Sequence, residues 1–258
     1  MFWHGAALSR VERLCITSFT ACGHRVIVHV YEEPDGVPHG VSLADAGQVI
    51  ARKELFKHPQ TGSFAPFADW FRYRVLYDRG GLWADTDVVC LKPLAYARPE
   101  IYAWQDDVQI NNAVLGLPAR HALAKWMMEC CEQPNRVLPY DDGRGKRRKW
   151  RRRWLQGNRR GNVKWGEYGP AGFTQAARHL GFVELALPPQ EFYPVSFKQW
   201  RGVFEEAERD WATALASSKA LHLWNEMMRR ESGFDKNARF APNSLFERLC
   251  ARYLKGDN

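Results

Sequence analysis

Residues 67–88, reading FADWFRYRVLYDRGGLWADTDV, constrain this chain more than any other stretch. Phe67, Trp70, Phe71, Arg74 and Val75, with Tyr77 or Asp78, recur at helical spacing, so residues 66–79 predict an amphipathic helix with an aromatic face for a sheet. Gly80-Gly81 stops it, because residues without a Cβ let the backbone turn sharply from helix to strand. Residues 82–84 and 88–91 then read as short strands on either side of Asp85-Thr86-Asp87, and Lys92-Pro93 ends the second. Two carboxylates one residue apart at a strand end can hold a divalent cation through hard oxygen ligands, and a cation held there can carry a diphosphate. Asp69 and Arg72, three apart, share one face of the preceding helix.

The remainder supports an α/β chain. Residues 2–3 read as a first strand, residues 8–20 as a helix ended by Gly23, and residues 26–31 as a β-branched strand closed by Pro34-Asp35-Gly36. Strand, helix, strand in that order implies a right-handed parallel crossover. Further strands are expected at 101–104, 113–117, 182–187 and 220–224, with Asn111-Asn112 in a turn before the second of them. Helices are expected at 119–131, from Gly169-Pro170 to residue 180, and at 243–254. Residues 133–166 carry little apolar periodicity. Neither a repeat nor a linker stands out, so residues 1–258 are read as one domain with a basic insertion near 141–162.

Taken together, Asp69-x-x-Arg72, Gly80-Gly81-x-Trp83 and Asp85-x-Asp87 resemble the sugar-nucleotide site of retaining glycosyltransferases. The type is that of family 32, which includes a group of mannosyltransferases; clostridial glucosylating toxins share the logic more distantly. Trp3-His4-Gly5, Leu8, Ser18-Phe19 and Gly23-His24 are similar to the start of the same group. The resemblance implies a GT-A fold, a Rossmann-like and largely parallel sheet with helices on both faces. It implies transfer of a hexose, with retention, from a UDP- or GDP-sugar to a glycan, glycolipid or lipid-linked acceptor. Asp85 and Asp87 are then the catalytic metal ligands for Mn²⁺ or Mg²⁺, and His222, late in Ala220-Leu221-His222-Leu223-Trp224-Asn225-Glu226, completes the shell, with Asn225 or Glu226 as substitutes. Asp69 and Arg72 contact donor-sugar hydroxyls, alongside Gly81, Trp83, Asn112 and Trp224; Asn111, Tyr168 and Thr174 are further candidates. Each has a plainer account: an Asp turn, an i,i+3 surface ion pair, core aromatics, a core histidine.

Charge adds a second feature. The net charge is +8. Ten basic residues and no acidic one lie between Arg144 and Gly161, so the rest of the chain carries 8 − 10 = −2. The run KRRKWRRRW, residues 146–154, reads as a loop with three uses: a peripheral contact with an anionic membrane, phosphate binding on a nucleic acid, or solvation alone. Nucleic acid is the less favoured partner, since it leaves the acidic constellation without a role. A catalytically inactive sugar-nucleotide-binding relative and a host-directed toxin domain are also compatible with the pattern. Six cysteines without Cys-x-x-Cys spacing, and no evident leader or apolar span, give the expectation of a reducing cytoplasm, free or at the inner membrane face. Cys15 and Cys22, seven apart, are expected as buried thiols on one helical face.

Overall fold

The computed structural model describes residues 1–206 and 210–254. In chain order the elements are β1 (Phe2–Trp3), α1 (Arg10–Ala21), β2 (Ile27–Val30), β3 (Ser42–Asp45), α2 (Ala65–Arg79), β4 (Gly81–Ala84) and β5 (Val88–Cys90). They continue with β6 (Ile101–Trp104), β7 (Ile110–Leu117), α3 (Ala122–Glu132), α4 (Gly143–Leu155) and α5 (Pro170–His179). The last are α6 (Trp211–Ala214), β8 (Ala220–His222), α7 (Asn225–Arg230) and α8 (Leu245–Tyr253). The chain divides into two compact units, each drawn from separate stretches: Met1–Asp45, Ala84–Ala97 and Pro188–Asn258 in one, Ala46–Trp83 and Arg98–Leu187 in the other.

The first unit holds the parallel crossover. Here β2 pairs parallel with β1 on one side and with β3 on the other, Val28 standing opposite Leu43. A capping box of Ser9 and Glu12 starts α1, which satisfies amides that a helix start otherwise leaves open. Val11, Leu14, Cys15, Ile16 and Phe19 turn its apolar face inward, and α1 packs on β5 and α8. Ser18 accepts from the Cys90 amide at 2.8 Å, which fixes α1 against the strand that follows the acidic turn. Cys15 is buried as expected, while Cys22 ends the helix as its half-buried cap.

The second unit is built around β7, with β4 and β6 on its two edges; β6 runs antiparallel to it. The β1–β2–β3 sheet is parallel, whereas β5 and β8 form an antiparallel pair. The chain is thus less parallel than expected, because β6–β7 and β5–β8 are antiparallel pairs rather than helix-linked crossovers. α2 is buried on two sides: Phe67, Phe71 and Val75 on one, Asp69, Arg72, Tyr73 and Leu76 on the other. Arg74, placed on the inward face by spacing, instead lies half-exposed and pairs with Asp78 at 2.7 Å. Tyr73 takes the interior position and stacks on Phe173 of α5, ring planes 2° apart.

Three local expectations change. Asn111 and Asn112 lie inside buried β7, not in a turn, because neighbouring polar groups satisfy their amides: Asn111 bonds Gln105 (2.7 Å) and the Ala113 amide (2.8 Å). Residues 182–187 form a 3-10 turn over Val183–Leu185 and one bridge, Ala103 to Leu187, not a strand. The basic run is helix α4, not a loop. Lys and Arg are good helix formers, Asp142 caps the N-terminus, and the two inward cations are neutralised, Lys149 by Asp141 (2.8 Å) and Arg152 by Glu167 (2.7 Å).

Candidate active site

The chemistry-bearing residues fall into two sets, one in each unit. In the first unit the antiparallel pairing of β5 with β8 puts His222 opposite Val88, one residue from Asp87. The Leu223 amide donates to the Asp87 carbonyl at 2.8 Å and extends that pairing past the strand end. His222 Nε2 then meets Asp87 Oδ2 at 3.0 Å, and the Asn225 amide donates to the same oxygen at 2.7 Å. The chain can bring that amide round because Trp224 adopts a left-handed conformation (φ 59°, ψ 57°) just before α7. A left-handed backbone at a bulky residue is an outlier that surrounding structure must hold in place. Here the Trp224 indole donates to the Val195 carbonyl at 2.8 Å and lies against the His222 and Tyr193 rings.

Asp87 is buried. Burial pushes its carboxyl up, but the His222 charge and hydrogen bond, the Asn225 amide and Lys236 outweigh burial and hold it below the usual carboxylate range. Asp87 is therefore an anion fixed in direction by two donors. Asp85 stands half-buried at the start of the turn, where its carbonyl accepts from the Val88 amide at 3.2 Å. His222 Nδ1 and Asn225 Oδ1 are buried without a hydrogen-bond partner among the described residues. Both belong to residues that hold Asp87 through another atom, His222 through Nε2 and Asn225 through its backbone amide. Among the described residues no group of three or more His, Cys, Asp or Glu is arranged to hold a metal ion. His222 Nε2 is engaged with Asp87, and Glu226 is occupied by Arg229 (3.0 Å) and Arg230 (2.7 Å) on the surface of α7.

The second set lies between α2 and β7. Asp69 Oδ1 accepts from Asn112 Nδ2 at 2.9 Å and pairs with Arg72 at 3.3 Å. Arg72 Nη1 donates to the Asn112 carbonyl at 2.9 Å, and its guanidinium lies over the Trp83 ring, 5.4 Å from the centroid. The Asn112 amide also donates to Tyr73 Oη at 2.7 Å, and Tyr73 donates to the Tyr168 carbonyl at 2.9 Å. Asp69 is 9% and Arg72 4% exposed, so this is an interior network and not the surface ion pair that i,i+3 spacing equally allowed. Gly169 comes close as well: a Cβ there would lie 3.3 Å from Asp69 Oδ2.

Of the other candidates, Gly81 is exposed at the head of β4 and Trp83 is buried behind Arg72. Thr174 accepts from the Ile110 amide at 2.9 Å and donates to the Pro170 carbonyl at 2.7 Å, which pins α5 to β7. Reading the sequence missed Tyr73 and the Asn225 amide. Tyr73 sits four residues after Asp69, a spacing that puts both on one helix face; the amide leaves no trace in residue type.

Two family models match the chain. The glycosyltransferase sugar-binding region containing the DXD motif matches residues 46–113, which include Asp69, Arg72, Trp83, Asp85, Asp87 and Asn112. The alpha 1,4-glycosyltransferase conserved region matches residues 161–255, which include His222, Trp224 and Asn225. Helix α4 falls in neither. Both matched stretches are likened to glycosyltransferase regions, the first of them defined by an Asp-x-Asp motif, in agreement with the resemblance that the motif block carries.

Within that class the chain is similar to the alpha-1,4-N-acetylglucosaminyltransferase of Homo sapiens, 26% identical over 198 residues, covering 72% of this chain and 50% of the relative. It is similar also to the lactosylceramide 4-alpha-galactosyltransferase of Homo sapiens, 24% identical over 222 residues, with coverage of 78% and 55%. The Mus musculus protein of that name is 26% identical over 198 residues, with coverage of 72% and 46%. The chain spans about half the length of these three relatives.

Proposed function

We propose that this chain transfers a hexose or N-acetylhexosamine from a nucleoside-diphosphate sugar to a hydroxyl of a glycan or glycolipid acceptor, with retention and with a divalent cation. One observation carries the reading: Asp87, of the Asp-x-Asp turn, is a buried anion held in direction by His222 Nε2 and the Asn225 amide. Oxygen donors of this kind suit Mn²⁺ or Mg²⁺, so Asp85 and Asp87 are the residues that would hold it. When bound, the cation supplies charge neutralisation for the departing diphosphate.

The protein's own part is to keep charges in place. His222 and the Asn225 amide hold Asp87 ionised and prevent it from turning away. Asp69 accepts from sugar hydroxyls, and Arg72 donates through a planar fork that Asn112 and Trp83 keep oriented. No side chain identifies itself as a nucleophile, which favours front-face attack within an ion pair; the departing phosphate then takes the acceptor proton. The relatives' names support a 1,4-linked product.

The test is hydrolysis of a panel of UDP- and GDP-sugars with Mn²⁺, with Mg²⁺ and with chelator, for the parent and Asp87→Asn. The amide keeps the shape and removes the charge, so a loss of several kcal/mol, roughly a thousandfold in rate, is expected, together with a lower melting temperature from the lost charge-assisted bonds to His222 and the Asn225 amide, and rates are compared well below that temperature. Parent-like turnover by Asp87→Asn would overturn the assignment, and a parent inactive on every donor would favour a sugar-nucleotide-binding protein without catalysis.

A further inference from the structure

Helix α4 lies outside both family matches and outside the two sets of site residues. Gly145, Lys149 and Arg152 recur at i, i+4 and i+7 and form its buried face, locked by the Asp141 and Glu167 ion pairs. About half a turn round the helix, at 100° per residue, stand Trp150 and Trp154, one turn apart. They are 55% and 65% exposed. Six cations, Arg144, Lys146, Arg147, Arg148, Arg151 and Arg153, are exposed on the same helix, and no acidic side chain lies within it. Lys146 and Arg153 flank the tryptophan stripe on one side, Arg147 and Arg151 on the other. The Arg153 guanidinium lies 5.4 Å from the centre of the Trp154 ring.

Exposed tryptophans are costly in water and rare in such a setting, unless one end of the ring is meant to be wet and the other dry. We propose that α4 is an in-plane anchor that docks this protein on an anionic lipid surface, with Trp150 and Trp154 seated among the headgroups and acyl boundary and the flanking cations on lipid phosphates and carboxylates. Charge complementarity selects the lipid, and shape selects a sheet of lipid over a strand of nucleic acid. A rigid convex helix meets a plane along its length, whereas single-stranded nucleic acid is held in a groove with bases stacked on platforms. The two buried pairs serve this face by fixing the helix in rotation, so that the tryptophans point outward together.

The measurement is co-sedimentation of the whole chain with vesicles of phosphatidylcholine alone and of phosphatidylcholine with about a third phosphatidylserine. The parent is expected to sediment with the anionic vesicles only, less so as salt rises. Each basic residue contributes about fivefold in partitioning, so Lys146→Ser, Arg147→Ser and Arg151→Ser combined should reduce it at least tenfold after screening. Trp150→Ser with Trp154→Ser should reduce it at constant charge, which a purely electrostatic contact would not show. Circular dichroism melts of each variant should match the parent, because none of these side chains is buried. Absence of parent binding to anionic vesicles overturns the proposal. So does tighter binding of a single-stranded oligonucleotide at the same salt, lost in the charge variant, or an unchanged affinity in the tryptophan variant.

Discussion

Replacing Arg72 by lysine separates a sugar-reading guanidinium from a buried cation that merely holds the fold. Arg72 Nη1 serves two acceptors, the Asn112 carbonyl at 2.9 Å and Asp69 at 3.3 Å, while the plane of the group rests on Trp83. Lysine keeps the charge and reaches one acceptor, but has no fork and no flat face. Losing one charge-assisted hydrogen bond costs about 1.5–3 kcal/mol, so Arg72→Lys should lose about 2 kcal/mol of stability. Arg72→Ala leaves the Asp69 carboxylate buried without its cation and should lose about 3–5 kcal/mol. If the fork also donates to sugar hydroxyls, a similar energy disappears from the transition state, and kcat/KM for donor hydrolysis falls roughly thirty- to a hundredfold. Urea titrations and steady-state kinetics, the latter well below the melting temperature of each variant, read the two effects apart. A lysine variant with parent stability and parent kcat/KM would refute the reasoning. A destabilised variant with unchanged kcat/KM would leave Arg72 a structural residue.

Further outcomes are accessible to stability measurements. Gly80 sits at φ 67°, and a Cβ there would fall 2.4 Å from the Ala119 nitrogen, whereas Gly81 at φ 102° has nothing within 4 Å. Gly80→Ala should therefore cost more than about 3 kcal/mol and Gly81→Ala about 1–2 kcal/mol of backbone strain alone; equal melting temperatures would count against the helix-to-strand geometry. Burial pushes the Glu167 carboxyl up, but the Arg152 hydrogen bond and charge and the Lys164 amide outweigh burial and leave it below the ordinary 4.5. A lowered folded value means that the pair's stabilisation is fully present above about pH 4.5 and fades as pH falls through the lower folded value. Glu167→Gln should thus melt lower than the parent at about pH 7, with the gap narrowing as pH falls below about 4.5; a gap constant with pH would refute the pair's role.

Much of the site could be read without coordinates because its signals are local. The α2 helix, the Gly80-Gly81 stop and the Asp85-x-Asp87 turn each depend on spacing and on backbone freedom, and both travel with the sequence. The opening β1–α1–β2 crossover is of the same kind. What decides the state of these residues is not local. Asp87 is an aimed anion because β8, some 135 residues later, pairs with β5 and delivers His222 and the Asn225 amide to one oxygen. Arg72 could be a surface ion pair or an interior fork on spacing alone, and the packing of α2 beside β7 settles it by burying both partners against Asn112. Asn111 and Asn112 prefer turns in isolation, yet sit in a buried strand since tertiary neighbours satisfy their amides. The basic run, unpatterned by hydrophobicity, is a helix because Asp141 and Glu167 neutralise its two inward cations, and no periodicity of apolar residues announces an ion pair. Residue type and spacing determine which chemistry this chain can perform; long-range pairing determines which of those groups are buried, charged and aimed, since burial and hydrogen bonding depend on neighbours that are distant in sequence.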